Sequence, residues 1–274
     1  MPEVLYVYAI GRAGHPLPER IEAIDGSDRL QEITAGALAA FITPVDDVDF
    51  SQTLIDARAK DVEWLGGIGY RHQSVMSALM HGGTIIPLRA FTLFASAETL
   101  RAHLETEQAR LSALLDRLEG KQEWTLRLEF DPERWSEALV TRVDSLRLLS
   151  EEIDGASAGK AFLLRKKLDD EKKRASREAE QQVMAEVESA VLEKLACDTV
   201  AETRQQRSGA FPQINVLINR DEESRLVELR EALSLRYGSE GVNLALTGPW
   251  PPYTFVGREE SEARDQRSEI RKSP

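Results

Sequence analysis

GASAGKAF, residues 155–162, is the stretch of this chain closest to a phosphate-binding loop, and its spacing decides against one. Such a loop needs four residues between its two glycines and a hydroxyl after the lysine, so that backbone N–H groups cradle phosphate and the hydroxyl meets magnesium. Here three residues separate Gly155 from Gly159, Ala161 stands at the hydroxyl position, and no strongly hydrophobic strand precedes the stretch. It reads as the lead-in to a helix. The four histidines, His15, His72, His81 and His103, share no metal-ligand spacing with one another or with Cys197. His72 and His81, nine positions apart, fall half a turn out of phase at about 100° per residue. Ser74 lies two residues from His72, which diverges on a helix, and no GxSxG elbow exposes a nucleophile. Acidic pairs such as Asp46-Asp47 and Glu151-Glu152 are ordinary on surfaces. No catalytic residue, cofactor site or metal site is indicated.

Two stretches carry more information. In Pro87-Leu88-Arg89 a guanidinium sits inside an apolar, strand-like run, where burial would demand a carboxylate or carbonyls. An internal ion pair is the favoured reading, and an anionic ligand at Arg89 the other. In GPWPPYTF, residues 248–255, Pro249, Pro251 and Pro252 fix the backbone after Gly248 and hold Trp250 and Tyr253 at little entropic cost. Rigid aromatic residues suit either a core lid or an interface anchor.

The bulk properties narrow the class of partner. With 274 residues, 42% hydrophobic and 30% charged, the chain can form one large or two ordinary domains. Its net charge of −12 and pI near 5.0 repel phosphate backbones, so no nucleic-acid partner is expected. The basic residues from Lys160 to Arg174 are interrupted by Asp169, Asp170 and Glu171 and read as a solvated helix face. One cysteine excludes an internal disulfide and fits a cytoplasmic location, and no apolar run is long enough to cross a bilayer, so no membrane partner is expected.

The elements that would position these residues follow from periodicity. Residues 4–10 predict a buried opening strand, with short strands near 20–24, 29–34 and 38–42. Residues 53–80 predict a helix kinked or broken at Gly66, Gly67 and Gly69, residues 84–94 a strand on either side of Pro87, and 95–118 a helix with Leu100, Leu104, Leu111, Leu114, Leu115 and Leu118 on one side. A second unit opens with the alternating strand 122–130, in which Trp124 shares a face with Leu126 and Leu128. Asp131-Pro132 then starts a helix to about 149, a loop follows over 151–159, and a long helix runs from 160 to about 203. Its apolar seam is thin over 164–183, which predicts projection into solvent or towards a partner. Strand 214–218, a helix from Asp221 to about 237 and strand 242–246 complete it. The fold class expected is α+β with two domains: an N-terminal α/β domain with a small mixed sheet (1–120) and a C-terminal ferredoxin-like domain with an extra long helix (121–256). The tail 257–274, with five basic and five acidic residues, is expected to be mobile.

LYVYAI, GGTIIPLRAFTLF, LEGKQEW, AGKAFLLRKK and above all LTGPWPPYTFV (246–256) together resemble the gas vesicle protein F/L family, and the likeness spans nearly the whole chain. One departure stands out: after Pro87-Leu88-Arg89 the family leads one to expect Phe-Gly-Thr, and here Ala90-Phe91-Thr92 stands instead. The resemblance implies a non-enzymatic accessory or minor structural protein, located in the cytoplasm and at the gas vesicle. Such a protein is required for vesicle assembly and binds the small hydrophobic shell protein of the GvpA type during nucleation or growth, and other vesicle accessory proteins are further expected partners. Pro87, Leu88, Arg89, Trp124, Gly248, Pro249, Trp250, Pro251, Pro252 and Tyr253 are the signature and candidate interface residues. The alternative on the same residues is a small-molecule-binding enzyme or sensor with a pocket near Arg89 and Trp250.

Overall fold

A computed structural model describes residues 3–202 and 211–257. The chain forms two compact units: one holds the residues up to Gln122 together with the segment from Trp250 onward, the other Glu123–Pro249. Residues 250–256, expected with the second unit, thus belong to the first. The charged tail expected to be mobile lies, from residue 258, outside the described residues, as does the predicted last residue of the long helix, 203.

In the first unit, β1 (Glu3–Arg12) is the strand on which the sheet is built. It pairs with β3 (Leu38–Asp46) on one edge and with the two-residue strands β4 (Ile86–Pro87) and β5 (Leu93–Phe94) on the other, while β2 (Gln31–Ala35) extends the sheet beyond β3. Every pairing is antiparallel, where the sequence suggests a mixed sheet. Residues 20–24, expected as a strand, form none. Pro87 is accommodated because β4 lies at the sheet edge, where one ladder hydrogen bond fewer costs little.

Helices α1 (Gln52–Arg58) and α2 (Val62–Gly82) are separate, and the break falls at 59–61 and not at the glycines. The Asp61 carboxylate caps α2 by accepting from the N–H groups of Glu63 and Trp64, both at 3.1 Å. Gly66 and Gly69 lie on the open side of α2, and their helix penalty, about 1 kcal/mol each, is outweighed by the opposite face, where Ile68, Val75, Met76 and Leu79 are buried. The predicted helix over 95–118 is likewise two, α3 (Ala97–Thr106) and α4 (Gln108–Leu118), hinged at Glu107, and all six predicted leucines are buried.

The second unit runs β6 (Lys121–Phe130), α5 (Pro132–Arg142), α6 (Asp144–Asp154), α7 (Ala158–Lys194), β7 (Asp198–Glu202), β8 (Gln213–Asn219), α8 (Glu223–Gly238) and β9 (Val242–Trp250). Its sheet order, β7-β8-β6-β9, is that of a ferredoxin-like βαββαβ unit with extra helices in the first crossover. Trp124, Leu126, Leu128 and Phe130 of β6, Ile214, Val216 and Ile218 of β8, and Val242 and Leu244 of β9 share one face, covered by α7 and α8.

Edge strand β7 is absent from the sequence expectation, which continues the helix through it. Val183, Val187, Val191 and Leu195 recur every four residues and Thr199 extends the rhythm, so the pattern hides the stop; in the structure α7 ends at Lys194, and residues 198–202 pair along β8. The predicted loop 151–159 shrinks to Gly155–Ser157, because Ile153 is buried and carries α6 to Asp154. The thin seam of α7 does not project: Leu168, Ala175 and Ala179 pack on the core, and their small size lets α5 approach, with the Trp135 indole donating to the Ser176 hydroxyl at 3.1 Å.

Gly241 joins α8 to β9 with φ +80°, and a Cβ there would meet the Arg134 Cβ at 2.6 Å and the Trp135 nitrogen at 3.0 Å. Gly241→Ala should therefore lower stability by about 1–3 kcal/mol. Urea unfolding measures this, and an unchanged midpoint would mean that the α5–β9 junction yields without cost.

Candidate functional site

Three of the signature segments, LYVYAI, GGTIIPLRAFTLF and LTGPWPPYTFV, meet at His72. Position 72 falls within the apolar stripe of α2, between Ile68 and Val75, so the side chain is carried into the core and is 5% exposed. Its Nδ1 lies 2.8 Å from the Tyr6 hydroxyl and its Nε2 2.9 Å from the Tyr253 hydroxyl. The Tyr6 oxygen also accepts from the Phe91 N–H at 3.3 Å, and each ring nitrogen of His72 has a hydroxyl partner in either tautomer. Burial pushes the imidazole pKa down, partly opposed by a hydrogen bond to the Leu88 backbone.

Around this relay Tyr8 stacks on the ring at 5.7 Å, while Tyr6 meets it edge-on at 5.8 Å. Tyr6 and Tyr8, two residues apart on β1, share the face that α2 covers, and the β1–β3 register shifts between Val7 and Ala9. The Tyr8 hydroxyl contacts Thr43 Oγ1 at 3.0 Å and accepts from the Ile24 N–H at 2.8 Å; burial pushes its pKa, like that of Tyr253, up to about 12.

Pro87 is buried at the edge of β1, and the Leu88 N–H donates to the Tyr8 carbonyl at 2.8 Å. Arg89 is exposed, and no ion pair is formed by it among the described residues; the internal salt bridge read from the sequence is not made. Its carbonyl instead closes a turn, accepting from the Thr92 N–H at 3.2 Å and hydroxyl at 2.7 Å. Phe91, third residue of that turn, has φ +64°. Glycine is the residue that takes such a conformation without strain, and this is the position where the family resemblance leads one to expect it. What offsets the strain is the side chain: the Phe91 ring stacks on Trp64 at 5.8 Å and meets Tyr6 edge-on at 6.5 Å.

GPWPPYTF divides in function along its length. Gly248 has φ +143°, and a Cβ on it would stand 2.8–2.9 Å from the Trp124 indole, so glycine is required beside Trp124. Trp124 is buried, and its Nε1 has no hydrogen-bond partner among the described residues. The Gly248–Pro249 peptide is cis. Pro249 is exposed and Trp250 is 40% exposed, whereas Pro251, Pro252, Phe255 and Val256 are buried. Tyr253 follows at the start of a helical turn over 253–257 and joins the core of the first unit through His72. Core lid and exposed aromatic therefore coexist in eight residues.

Sequence reasoning weighed His72 only as a metal ligand or catalytic neighbour, noted Phe91 only as a departure, and assigned no role to Tyr6. A readable signal was present: one histidine inside the apolar stripe of α2 and a tyrosine pair in β1 each need a buried polar partner. Elsewhere His15 donates to the Leu79 carbonyl at 2.9 Å and His81 pairs with the Ser77 carbonyl at 2.6 Å. Cys197 is half-buried, with its thiol pushed up to about 11, and no group of three or more potential metal-binding side chains occurs among the described residues. No described helix is long and apolar enough to cross a membrane.

Because the folded pKa values of His72 and His15 are lowered, the unfolded chain binds more protons below its ordinary histidine pKa, about 6.5. Stability is full above that pH and falls as pH drops through the window beneath it. His72→Phe should flatten the part due to His72, as seen in thermal melts between pH 7 and 5. At the strained turn, Phe91→Gly should be more stable than Phe91→Ala by about 1 kcal/mol, the reverse of the usual order. Equal midpoints in chemical denaturation would mean that the positive φ carries no cost.

Comparison with known proteins agrees with this arrangement. The family model "Gas vesicle synthesis protein GvpL/GvpF" matches residues 4–257. Gas vesicle protein L of a Streptomyces species is 28% identical over 273 residues, 95% of each chain. Gas vesicle protein L2 of Halobacterium salinarum is 32% identical over 183 residues, 64% of each chain. Gas vesicle protein F of the Streptomyces species is 26% identical, covering 92% of this chain and 98% of its own. The crystal structure of GvpF from Microcystis aeruginosa has the same fold, with a TM-score of 0.65 at 15% identity, covering 93% of this chain and 99% of that one. From the opening strand to the proline-rich end of the first unit, this chain belongs to the GvpL/GvpF family of gas vesicle proteins.

Proposed function

We propose that this chain is a non-enzymatic accessory protein of gas vesicle assembly that binds the small hydrophobic shell protein during nucleation or growth. Family membership supplies the vesicle role, and Trp250 is the observation that supports a contact: it stays 40% exposed while the residues following it, Pro251 and Pro252, are buried. An indole presented on a proline frame loses little entropy on docking and offers a large apolar face to an apolar partner. Pro249 lies beside it, and Phe162 and Leu163, 69% and 67% exposed within the AGKAFLLRKK signature, add apolar surface on α7. The net charge of −12 would keep a complex with a self-associating shell protein dispersed. On this reading Trp250 and Pro249 are contact residues, and Pro87, Leu88, Trp124, Gly248, Pro251, Pro252 and Tyr253 hold the frame. Arg89, exposed at the turn, is available to a partner.

Co-expression of the tagged chain with the shell protein tests the reading. The wild-type chain should bring soluble shell protein down with it. Trp250→Ala should reduce the recovery at least severalfold with little change in the unfolding midpoint. Loss of folding in that variant would make Trp250 a core residue, and unchanged recovery with folding intact would remove it from the contact.

A further inference from the structure

In the second unit the end of β6, α5 and α7 enclose a groove of about 1040 Å³. Its floor is apolar, made by Phe130, Trp135, Leu139 and Met184. One wall is a face of α7 that carries Lys172, Lys173 and Arg177, the last two at i,i+4 spacing.

The acids nearby neutralise these cations only in part. Lys172 reaches the neutral Ser136 hydroxyl at 3.2 Å, and Lys173 is paired with Asp170 at 3.9 Å between two exposed side chains. Arg177 makes no ion pair among the described residues. The groove's own acid, Glu180, is engaged by the Ser176 hydroxyl at 3.0 Å, itself the acceptor of the Trp135 N–H. The wall therefore presents a local positive field, over an apolar floor, on a chain whose net charge is −12.

We propose that this groove docks an amphipathic protein segment bearing carboxylates beside bulky apolar side chains. Apolar groups would fill the floor over Trp135 and Met184, and the carboxylates would take the hydrogen-bonding capacity of Lys172 and Arg177. The net charge of −12 opposes an acidic segment at long range, and the groove cations offset this locally. Binding here is separate from the shell-protein contact: failure of the shell protein to co-purify would leave it unaffected, and the converse also holds.

The test uses the full chain and a labelled helical peptide of about three turns, with Leu and Phe on one face flanked by Glu. Two comparison peptides replace every Glu by Lys, or every Leu and Phe by Ser. Fluorescence anisotropy should show saturable binding of the acidic amphipathic peptide, weakened at least about tenfold in either comparison peptide, and weakened again by added salt. Lys172→Glu combined with Arg177→Glu should cost a similar factor. If that protein fails to fold by circular dichroism, Lys172→Gln with Arg177→Gln gives the same comparison with a smaller loss. Equal binding to folded wild-type and charge-altered protein, preference for the basic peptide, or no saturable binding would each overturn the assignment.

Discussion

The core of the first unit depends on one buried imidazole having a partner on each side. His72 is placed in the apolar interior by the helical period of α2, where an unsatisfied ring nitrogen would cost about 1–3 kcal/mol. Tyr6 and Tyr253 remove that cost from opposite directions, and Tyr6 also takes the Phe91 N–H. The same requirement orders the surroundings: the alternation of β1 puts Tyr8 beside Tyr6 over the ring, the turn at Phe91 brings its N–H to Tyr6, and the proline-rich segment delivers Tyr253. Apolar packing gives this unit its bulk, and the polar chain through it fixes which segments are neighbours.

The second unit is held differently. Its core is a sheet face packed with residues of α5, α6, α7 and α8, and a charged centre ties three of those helices together. Glu186 accepts from the Tyr237 hydroxyl at 2.7 Å and lies 3.5 Å from Arg142 and 3.8 Å from Arg236, tying α7 to α5 and α8. Such half-buried pairs add orientation more than stability.

Much of this was legible from residue pattern. Alternation located β6, β8 and β9, the leucine spacing located the buried face of α3 and α4, and Pro87 argued correctly for a sheet edge. The errors came where two signals share a period or where tertiary contacts override propensity. β7 was hidden because a four-residue rhythm ran into it from α7, and Gly66 and Gly69 did not break α2 because burial on its far side outweighed their penalty. The signature residues were identifiable, yet their partners were not, since His72 and Tyr253 have no sequence relation a local rule could find. Ala90-Phe91-Thr92 is visible in the sequence as a departure, but its cost shows only in the backbone angle at Phe91, which the packing of the ring on Trp64 offsets.

The partner of His72 lies 181 residues further along the chain, with the whole second unit between them. During synthesis on the ribosome, α2 emerges well before Tyr253, so the first unit keeps an open seat in its core until the second unit has been made. A chain cut between residues 250 and 252 would carry an intact second unit and a first unit in which His72 Nε2 lacks its hydroxyl partner. Maturation of the first core is thereby tied to synthesis of everything between its two parts.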